Sequence, residues 1–99
     1  RLAKLLAQWI DDDPTFERLA EVRFSTVVFR YVSPGMTADQ LNDHNARLLE
    51  TVNATREVYL SHTKVGGRYA FRLAIGNIHT AEAHVRHAFD LVREAGRLK

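Results

Sequence analysis

The sequence predicts an α+β domain in which a small, mostly antiparallel sheet carries helices on one face, in the order α-β-α-β-β-α. One observation behind this prediction is a run rich in β-branched and aromatic residues, Val22 to Val32, which is typical of a strand. A second is the Gly66-Gly67 pair between two strand-like runs, which indicates a hairpin. The third is the helical spacing of apolar residues in three other stretches of the chain.

Length and composition fit a single domain over residues 1–99, with a leading helix over 1–13 and a sheet-and-helix core over 22–99. The 14 basic and 12 acidic residues leave a formal charge of +2, which is too balanced to indicate a nucleic-acid partner. No apolar run is long enough to span a membrane, so we expect no membrane partner. The absence of Cys excludes disulfides and thiolate metal sites, and it agrees with the reducing cytoplasm, where we expect the protein.

The first element is an amphipathic helix that starts at once, without a preceding Met, so we expect the chain to be part of a longer one. Pro14 ends this helix because proline disfavours helical geometry in the residue before it. The three carboxylates before Pro14 could suggest a metal site, but adjacent helical side chains point about 100° apart. We therefore interpret them as a solvated turn, followed by a connector over residues 15–21. The apolar stripe of the helix consists of Leu2, Leu5, Leu6, Trp9 and Ile10.

The strand predicted over residues 22–32 has apolar side chains on both faces, as a central strand does. A long helix follows it. Thr37 and Gln40 have the spacing of a capping box, in which each side chain serves the other residue's backbone amide. We expect this helix to run to about Arg56.

The second half of the chain predicts a hairpin and a last helix. Val58 to Val65 and Arg68 to Ile75 are the two strands, and Gly66-Gly67 can take the positive φ angles of the turn between them. Thr80 is the expected cap of the last helix. The buried stripe of that helix consists of Ala81, Val85, Ala88, Phe89, Val92 and Ala95.

Arg72 is the unusual residue of the last strand. Side chains alternate across a strand, so Tyr69, Phe71, Leu73 and Ile75 share a core face and Arg72 lies on the opposite face between Ala70 and Ala74. A covered guanidinium needs a partner, because an unpaired buried charge costs several kcal/mol. An ion pair with an acidic residue and the binding of a ligand carboxylate or phosphate are the two possibilities, and the spacing alone favours the ion pair. We expect the first helix or a neighbouring domain to cover this face.

Three other patterns could indicate chemistry. His84, His87 and Asp90 lie three residues apart on the last helix and could bind a metal, but a solvated face is the interpretation we favour, so we expect no metal site. Lys64 follows His62 closely, yet it sits at the exposed end of a glycine hairpin, where covalent catalysis is not expected. Arginines and aromatics of the last strand lie on opposite faces, which argues against a platform that stacks nucleic-acid bases.

Five short segments together resemble the C-terminal domain of the group II pyridoxal-phosphate-dependent amino-acid decarboxylases, and the aromatic L-amino-acid decarboxylase branch in particular. Their order and spacing extend over most of the chain. The segments are Val52-Asn53-Ala54-Thr55, Val58-Tyr59-Leu60-Ser61-His62-Thr63, Val65-Gly66-Gly67, Arg72-Leu73-Ala74-Ile75-Gly76 and Ala83-His84-Val85.

The resemblance implies the C-terminal small domain of a fold-type I enzyme, packed on a large domain that binds pyridoxal 5′-phosphate. It implies a homodimeric carboxy-lyase that converts an aromatic L-amino acid to the amine and carbon dioxide. The lysine that binds the cofactor and the Asp that pairs with its ring nitrogen belong to the large domain, so we expect no catalytic and no cofactor-binding residue in this chain. The resemblance also implies that Arg72 matches the arginine that binds the substrate carboxylate near the cofactor in glutamate-decarboxylase relatives, which makes substrate binding as strong a possibility as the ion pair.

A stand-alone α+β binding or regulatory module without catalysis is the alternative that the residues leave open. Such a module would be monomeric and fully folded as the isolated 99 residues. A decarboxylase domain would instead expose apolar surface when separated from its large domain.

Overall fold

The structure is a computed structural model that describes residues 2–23, 25–75 and 82–98, with no account of the Leu98 side chain. The elements are α1 (Leu2–Asp12), β1 (Phe16–Arg18), β2 (Thr26–Tyr31), α2 (Ala38–Ala54), β3 (Ser61–Val65), β4 (Arg68–Ala74) and α3 (Glu82–Leu98). The strands form one sheet in the order β1-β2-β4-β3, and every neighbouring pair is antiparallel. The α+β class with an antiparallel sheet is confirmed. The expected cap Thr80, and Ala81 and Phe24, lie outside the described residues.

The sheet contains one strand that the sequence did not predict. The stretch expected to be a connector contains β1, whose Phe16 pairs with Tyr31 of β2. The chain turns back between Arg23 and Thr26, which bridge each other, and Ser25 takes a positive φ of 66° there. This turn also explains why β2 begins only at Thr26. Three residues are too few to show the alternation of apolar and polar side chains that predicts a strand, so the sequence pattern predicted neither β1 nor the turn that follows it.

All three helices lie on one face of the sheet. Leu6 of α1, Leu48 of α2 and Phe89 of α3 belong to one buried cluster with the central strand residues Phe29 and Phe71. Phe16 adds edge-on or tilted contacts to Phe29 and Phe89 at ring-centre distances of 5.9 and 5.4 Å. The suggestion that the first helix covers the Arg72 face is therefore wrong. The apolar stripe of α1 is drawn to the same aromatic core as the other helices, because that face offers the larger apolar surface.

The structure confirms the local sequence signals for α2 and for the hairpin. Thr37 accepts from the Gln40 amide, and the Gln40 side chain accepts from the Thr37 amide, which completes the capping box. Gly66 and Gly67 have φ angles of 59° and 78°, as a primed hairpin turn requires. The helix ends two residues earlier than predicted, and Arg56 follows it in a left-handed conformation.

Two asparagines of α2 replace strand partners where the central pair separates. Regular pairing of β2 with β4 ends at Phe29 and Phe71. Beyond it, the Tyr31 amide donates to Oδ1 of Asn45 over 2.8 Å, and Nδ2 of Asn45 donates to the Tyr31 carbonyl over 3.0 Å. Asn42 accepts from the Tyr69 amide and donates to the Gly67 carbonyl. The helix thus completes the backbone hydrogen bonding of both strands.

A third asparagine of α2 acts in the same way on the segment that leads into β3. The Leu60 amide donates to Oδ1 of Asn53 over 2.7 Å, and Nδ2 of Asn53 donates to the Leu60 carbonyl over 2.9 Å. The Leu60 side chain is buried in the core. Residue 60 is therefore held by its backbone and by its side chain.

We expect Asn45→Ala to destabilise the fold by about 2–3 kcal/mol, because it leaves the Tyr31 amide and carbonyl without partners in a partly buried place. Thermal unfolding and the exchange rate of the Tyr31 amide hydrogen measure the effect. Asn42→Ala is the matched control, with an expected cost of about 1 kcal/mol, since part of its bonding is exposed. Equal effects of the two variants would contradict this account.

Candidate functional site

The face of the sheet opposite the helices, here called the open face, carries Arg72. Register and alternation place on it the side chains that lie between those of the core. They are Glu17, Thr26, Val28, Arg30, Ser61, Thr63, Val65, Arg68, Ala70, Arg72 and Ala74.

Arg72 stands near the middle of the open face. Its Cα partners are Val28 of β2 and Ser61 of β3, and its side chain is exposed. Ala70 and Ala74 flank it along β4 and fill little space. Within residues 2–23, 25–75 and 82–98, no carboxylate and no hydrogen-bond acceptor pairs with its guanidinium. An ion pair inside this part of the chain, the alternative that spacing favoured, is therefore not formed.

The nearest acidic group on the open face is already engaged. Oε1 of Glu17 lies 2.8 Å from Nε of Arg30, whose side chain is only 11% exposed. Arg68 approaches the other oxygen of the same carboxylate at 3.9 Å. The described part of the open face thus carries three arginines and one glutamate, which gives it a cationic character suited to an anionic ligand.

The residues present do not form a cofactor site by themselves. Lys64 lies opposite Tyr69 on the helix side of the sheet, so its amine is on the other face from Arg72. Its neighbour His62 stacks on Tyr69 with ring centres 5.1 Å apart. Burial, and then the charge of Glu50, raise the pKa of Tyr69. The described open face offers no amine for a covalent bond to an aldehyde and no free carboxylate for a ring nitrogen, but it does offer a guanidinium to an anion.

The three residues considered for a metal on α3 have separate partners. His87 lies 2.8 Å from Glu57, and Asp90 lies 3.3 Å from Arg86. His84 also takes part in an interaction of its own. In the described ranges no three His, Asp or Glu side chains gather at a spacing that could hold a metal ion.

The three carboxylates at the C-terminal end of α1, of which Asp11 and Asp12 are still helical, have structural partners as well. Asp11 forms a two-pronged pair with Arg18 of β1, at 3.0 Å for each bond. Asp12 accepts from Gln8, and Asp13 accepts from the amide and the hydroxyl of Thr15. These contacts tie the helix to the first strand.

Throughout the ranges described, no helix has the length and apolar character that a bilayer crossing requires.

Two residues, one beside the open face and one in the core, were not singled out by the sequence. Tyr59 is the large apolar residue of the described chain that is exposed, with an exposed fraction of 78%. Together with Ala74 it lines a cleft of about 220 Å³ between the end of β4 and α3, where His84 and Val85 also contribute. Alternation does carry a signal for it, because Tyr59 stands between Val58 and Leu60, which both face the core, and therefore faces the other side.

His44 is the second such residue, and it lies in the core beside Tyr31, with ring centres 4.9 Å apart. Its exposed fraction is 1%, and in the described structure neither ring nitrogen makes a hydrogen bond of normal geometry. Burial lowers the pKa of His44; the nearby Gly96 backbone opposes this shift, and the charge of Arg47 adds to it. The absence of a Cβ at Gly96 leaves room for the Tyr31 ring, which a Cβ would approach to 2.7 Å. His44 is a neutral core residue.

The chain is similar to curated plant enzymes of aromatic amino-acid metabolism. It is 43% identical over 96 residues to tryptophan decarboxylase TDC2 of Camptotheca acuminata and 38% identical over 93 residues to the aromatic-L-amino-acid decarboxylase of Catharanthus roseus. It is 35% identical over 94 residues to a phenylacetaldehyde synthase of Arabidopsis thaliana. These matches take in about 95% of the chain, which spans about a fifth of the length of each relative. No protein-family model matches the chain.

Solved structures agree with these relatives. The crystal structure of Oryza sativa tryptophan decarboxylase with pyridoxal phosphate and tryptamine superimposes with a TM-score of 0.90 at 31% identity, over 98% of this chain and 21% of that one. The Catharanthus roseus tryptophan decarboxylase in complex with L-tryptophan gives 0.88 at 37% identity, over 99% of this chain and 21% of that one.

Fold and sequence together define a domain homologous to the C-terminal part of the group II pyridoxal-phosphate-dependent decarboxylases. Within that group its relatives are the aromatic L-amino-acid decarboxylases, as the segments around Asn53, Gly66 and Arg72 predicted.

We expect the fold to lose stability below about pH 6.5, by up to about 1.4 kcal/mol per pH unit. The unfolded histidine takes up a proton from about 6.5 downward, whereas His44 in the fold resists it until the pH reaches its lowered pKa. Urea unfolding at pH 7.5 and pH 5.5 measures the difference.

Two variants separate His44 from other acid effects. His44→Leu should flatten much of the loss between the two pH values, because it removes the buried ring that resists protonation. The exposed His62→Asn variant should retain the loss. An unchanged pH dependence in His44→Leu would contradict the assignment.

Proposed function

We propose that the protein that carries this domain is a pyridoxal-phosphate-dependent decarboxylase that converts an aromatic L-amino acid to the amine and carbon dioxide. The observation that carries the proposal is the guanidinium of Arg72, which no described residue pairs on an open sheet face, in a domain 37% identical to part of a tryptophan decarboxylase. We further propose a cytoplasmic homodimer, in which a large domain of the same chain covers the open face.

The proposal divides the chemistry between two domains. Pyridoxal 5′-phosphate supplies an electron sink for decarboxylation when it is bound, and we assign its binding to the large domain. The described residues of this domain contribute no amine and no free carboxylate beside Arg72. Their contribution is a receptor for an anion on a rigid strand.

Arg72 is proposed to bind the substrate carboxylate. A guanidinium presents two parallel N–H donors to a carboxylate, which sets its orientation as well as its position. The regular pairing of β4 with β2 and β3 on either side holds the Arg72 backbone. Holding the bond between the α-carbon and the carboxylate in the right orientation favours the reaction. Very tight binding of the departing carboxylate would instead stabilise the ground state and slow the reaction.

A non-catalytic stand-alone module remains the competing function. In its favour, the described residues form one continuous core without help from another domain. Against it, the chain matches about a fifth of each relative, and Arg72 faces outward with no partner among residues 2–23, 25–75 and 82–98. A partner domain accounts for both observations.

The direct test is turnover by the complete protein with L-tryptophan, L-tyrosine and L-phenylalanine, measured as carbon dioxide release and by chromatography of the organic product. We expect the corresponding amine. An aldehyde as the main product would instead place the protein with relatives such as the phenylacetaldehyde synthase. Absence of any turnover, together with absence of cofactor from the purified protein, would contradict the proposal.

Arg72→Ala in the complete protein should raise the KM for the amino acid by at least about tenfold, since a charge-assisted hydrogen bond is worth about 1.5–3 kcal/mol. The cofactor absorbance should be retained because Arg72 is not proposed to hold the cofactor. Lys64→Ala is the control and should leave both quantities unchanged. Loss of cofactor or of folding in Arg72→Ala would instead assign Arg72 a structural ion pair with the large domain.

A further inference from the structure

Tyr59 is a large side chain that the fold holds away from its own core. In the described chain it is the large apolar side chain that stands exposed, with an exposed fraction of 78%. Its two neighbours point inward, since Leu60 is buried and Val58 packs against the core. A single exposed aromatic residue needs no explanation by itself, so its fixation and its position decide whether it has a function.

The backbone around Tyr59 is fixed by Asn53. Both the amide and the carbonyl of Leu60 bond to the Asn53 side chain, at 2.7 and 2.9 Å. On the other side, Glu57 is tied to His87 of α3 at 2.8 Å. Turning the Tyr59 ring inward would break the Leu60 bonds and expose the Leu60 side chain. The outward direction of the ring is therefore built into the structure.

Tyr59 lies just before β3, next to the row of the open face that contains Arg72. Ser61, the first residue of β3, is the Cα partner of Arg72, and Tyr59 lies two residues before it, just outside the strand. Because Val58 and Leu60 both face the core, Tyr59 faces the other side, as Ser61 and Arg72 do. Inside a ladder, diagonal neighbours lie about 7–8 Å apart, within reach of long and aromatic side chains, and Tyr59 continues the row of Ser61 beyond the end of the strand. Ala74, which follows Arg72 on the same face of β4, is small and exposed, so it leaves the guanidinium uncovered on that side.

We propose that the Tyr59 hydroxyl is a second hydrogen-bond donor to the carboxylate that Arg72 receives, so that the two side chains together form the carboxylate receptor of this domain. A phenol and a guanidinium are both donors, and a carboxylate can accept from both at once through its two oxygens. The Tyr59 hydroxyl has no partner among the described residues, and Glu57 is engaged by His87. This inference rests on the proposed function of Arg72.

The test compares ligands that have and lack the carboxylate, in the complete protein with bound cofactor. Tyr59→Phe keeps the ring and removes only the hydroxyl. We expect it to raise the KM of the aromatic amino acid, and the inhibition constant of the 3-arylpropanoate analogue, by roughly tenfold. The inhibition constant of the arylethylamine product should not change, because the product has no carboxylate.

Thr63→Val is the matched control, because Thr63 is the diagonal neighbour of Arg72 on the other side and also loses a hydroxyl. It should leave all three constants unchanged. A double-mutant cycle adds a second readout: the cost of Tyr59→Phe should shrink in the Arg72→Ala background, since the two donors share one carboxylate.

Two results would overturn the inference while the proposed function stands: wild-type constants in Tyr59→Phe, or costs that add fully in the cycle. A tenfold rise for the amine as well would also overturn it, because the hydroxyl would then act on something other than the carboxylate. If the wild-type protein itself neither turns over an aromatic amino acid nor binds the arylpropanoate, the proposed function fails and this inference fails with it.

Discussion

The structure depends on the way in which α2 serves as a hydrogen-bond partner for the sheet. Buried backbone amides and carbonyls must be paired, and a four-stranded sheet whose central strands separate after Phe29 and Phe71 leaves such groups open. Asn42 and Asn45 pair with them from the helix, and Asn53 pairs in the same way with Leu60 ahead of β3. Apolar packing alone would allow α2 to shift slightly along the sheet. Three amide side chains that bond to the backbone of specific residues do not allow such a shift. They therefore set the register of helix on sheet.

Much of the fold could be predicted, because its signals are local. Each of these signals indicates its structure within a short stretch of sequence: the capping box at Thr37, the glycine turn at 66–67 and the apolar stripe of α3. The first strand could not be predicted, since Phe16–Arg18 is short and its partner is distant in sequence. The position of α1 on the sheet was also not predicted. An apolar stripe shows which face of a helix is buried, but it does not show which face of the sheet that helix packs against.

The candidate site divides in the same way. Alternation along β4 was sufficient to place Arg72 on the face opposite the core. The occupation of Glu17 by Arg30 brings together residues of different strands, and only the three-dimensional structure shows it. His44 lay near the apolar stripe of its helix, yet its complete burial without a hydrogen bond depends on Tyr31 and Gly96, which the pattern does not connect with it. Tyr59 gains meaning only from the Asn53 contacts beside it.

The pairing of β2 with β4 also has a consequence for the order in which the molecule assembles. β3 and β4 are joined by a two-residue turn, and such hairpins form within about 1–10 μs. Val28 and Arg72, by contrast, are more than forty residues apart in the chain, so their pairing must close a long loop. We expect the barrier to folding to lie at this closure. The strand that carries Arg72 would then exist early as a hairpin and acquire its central position only when the N-terminal half arrives.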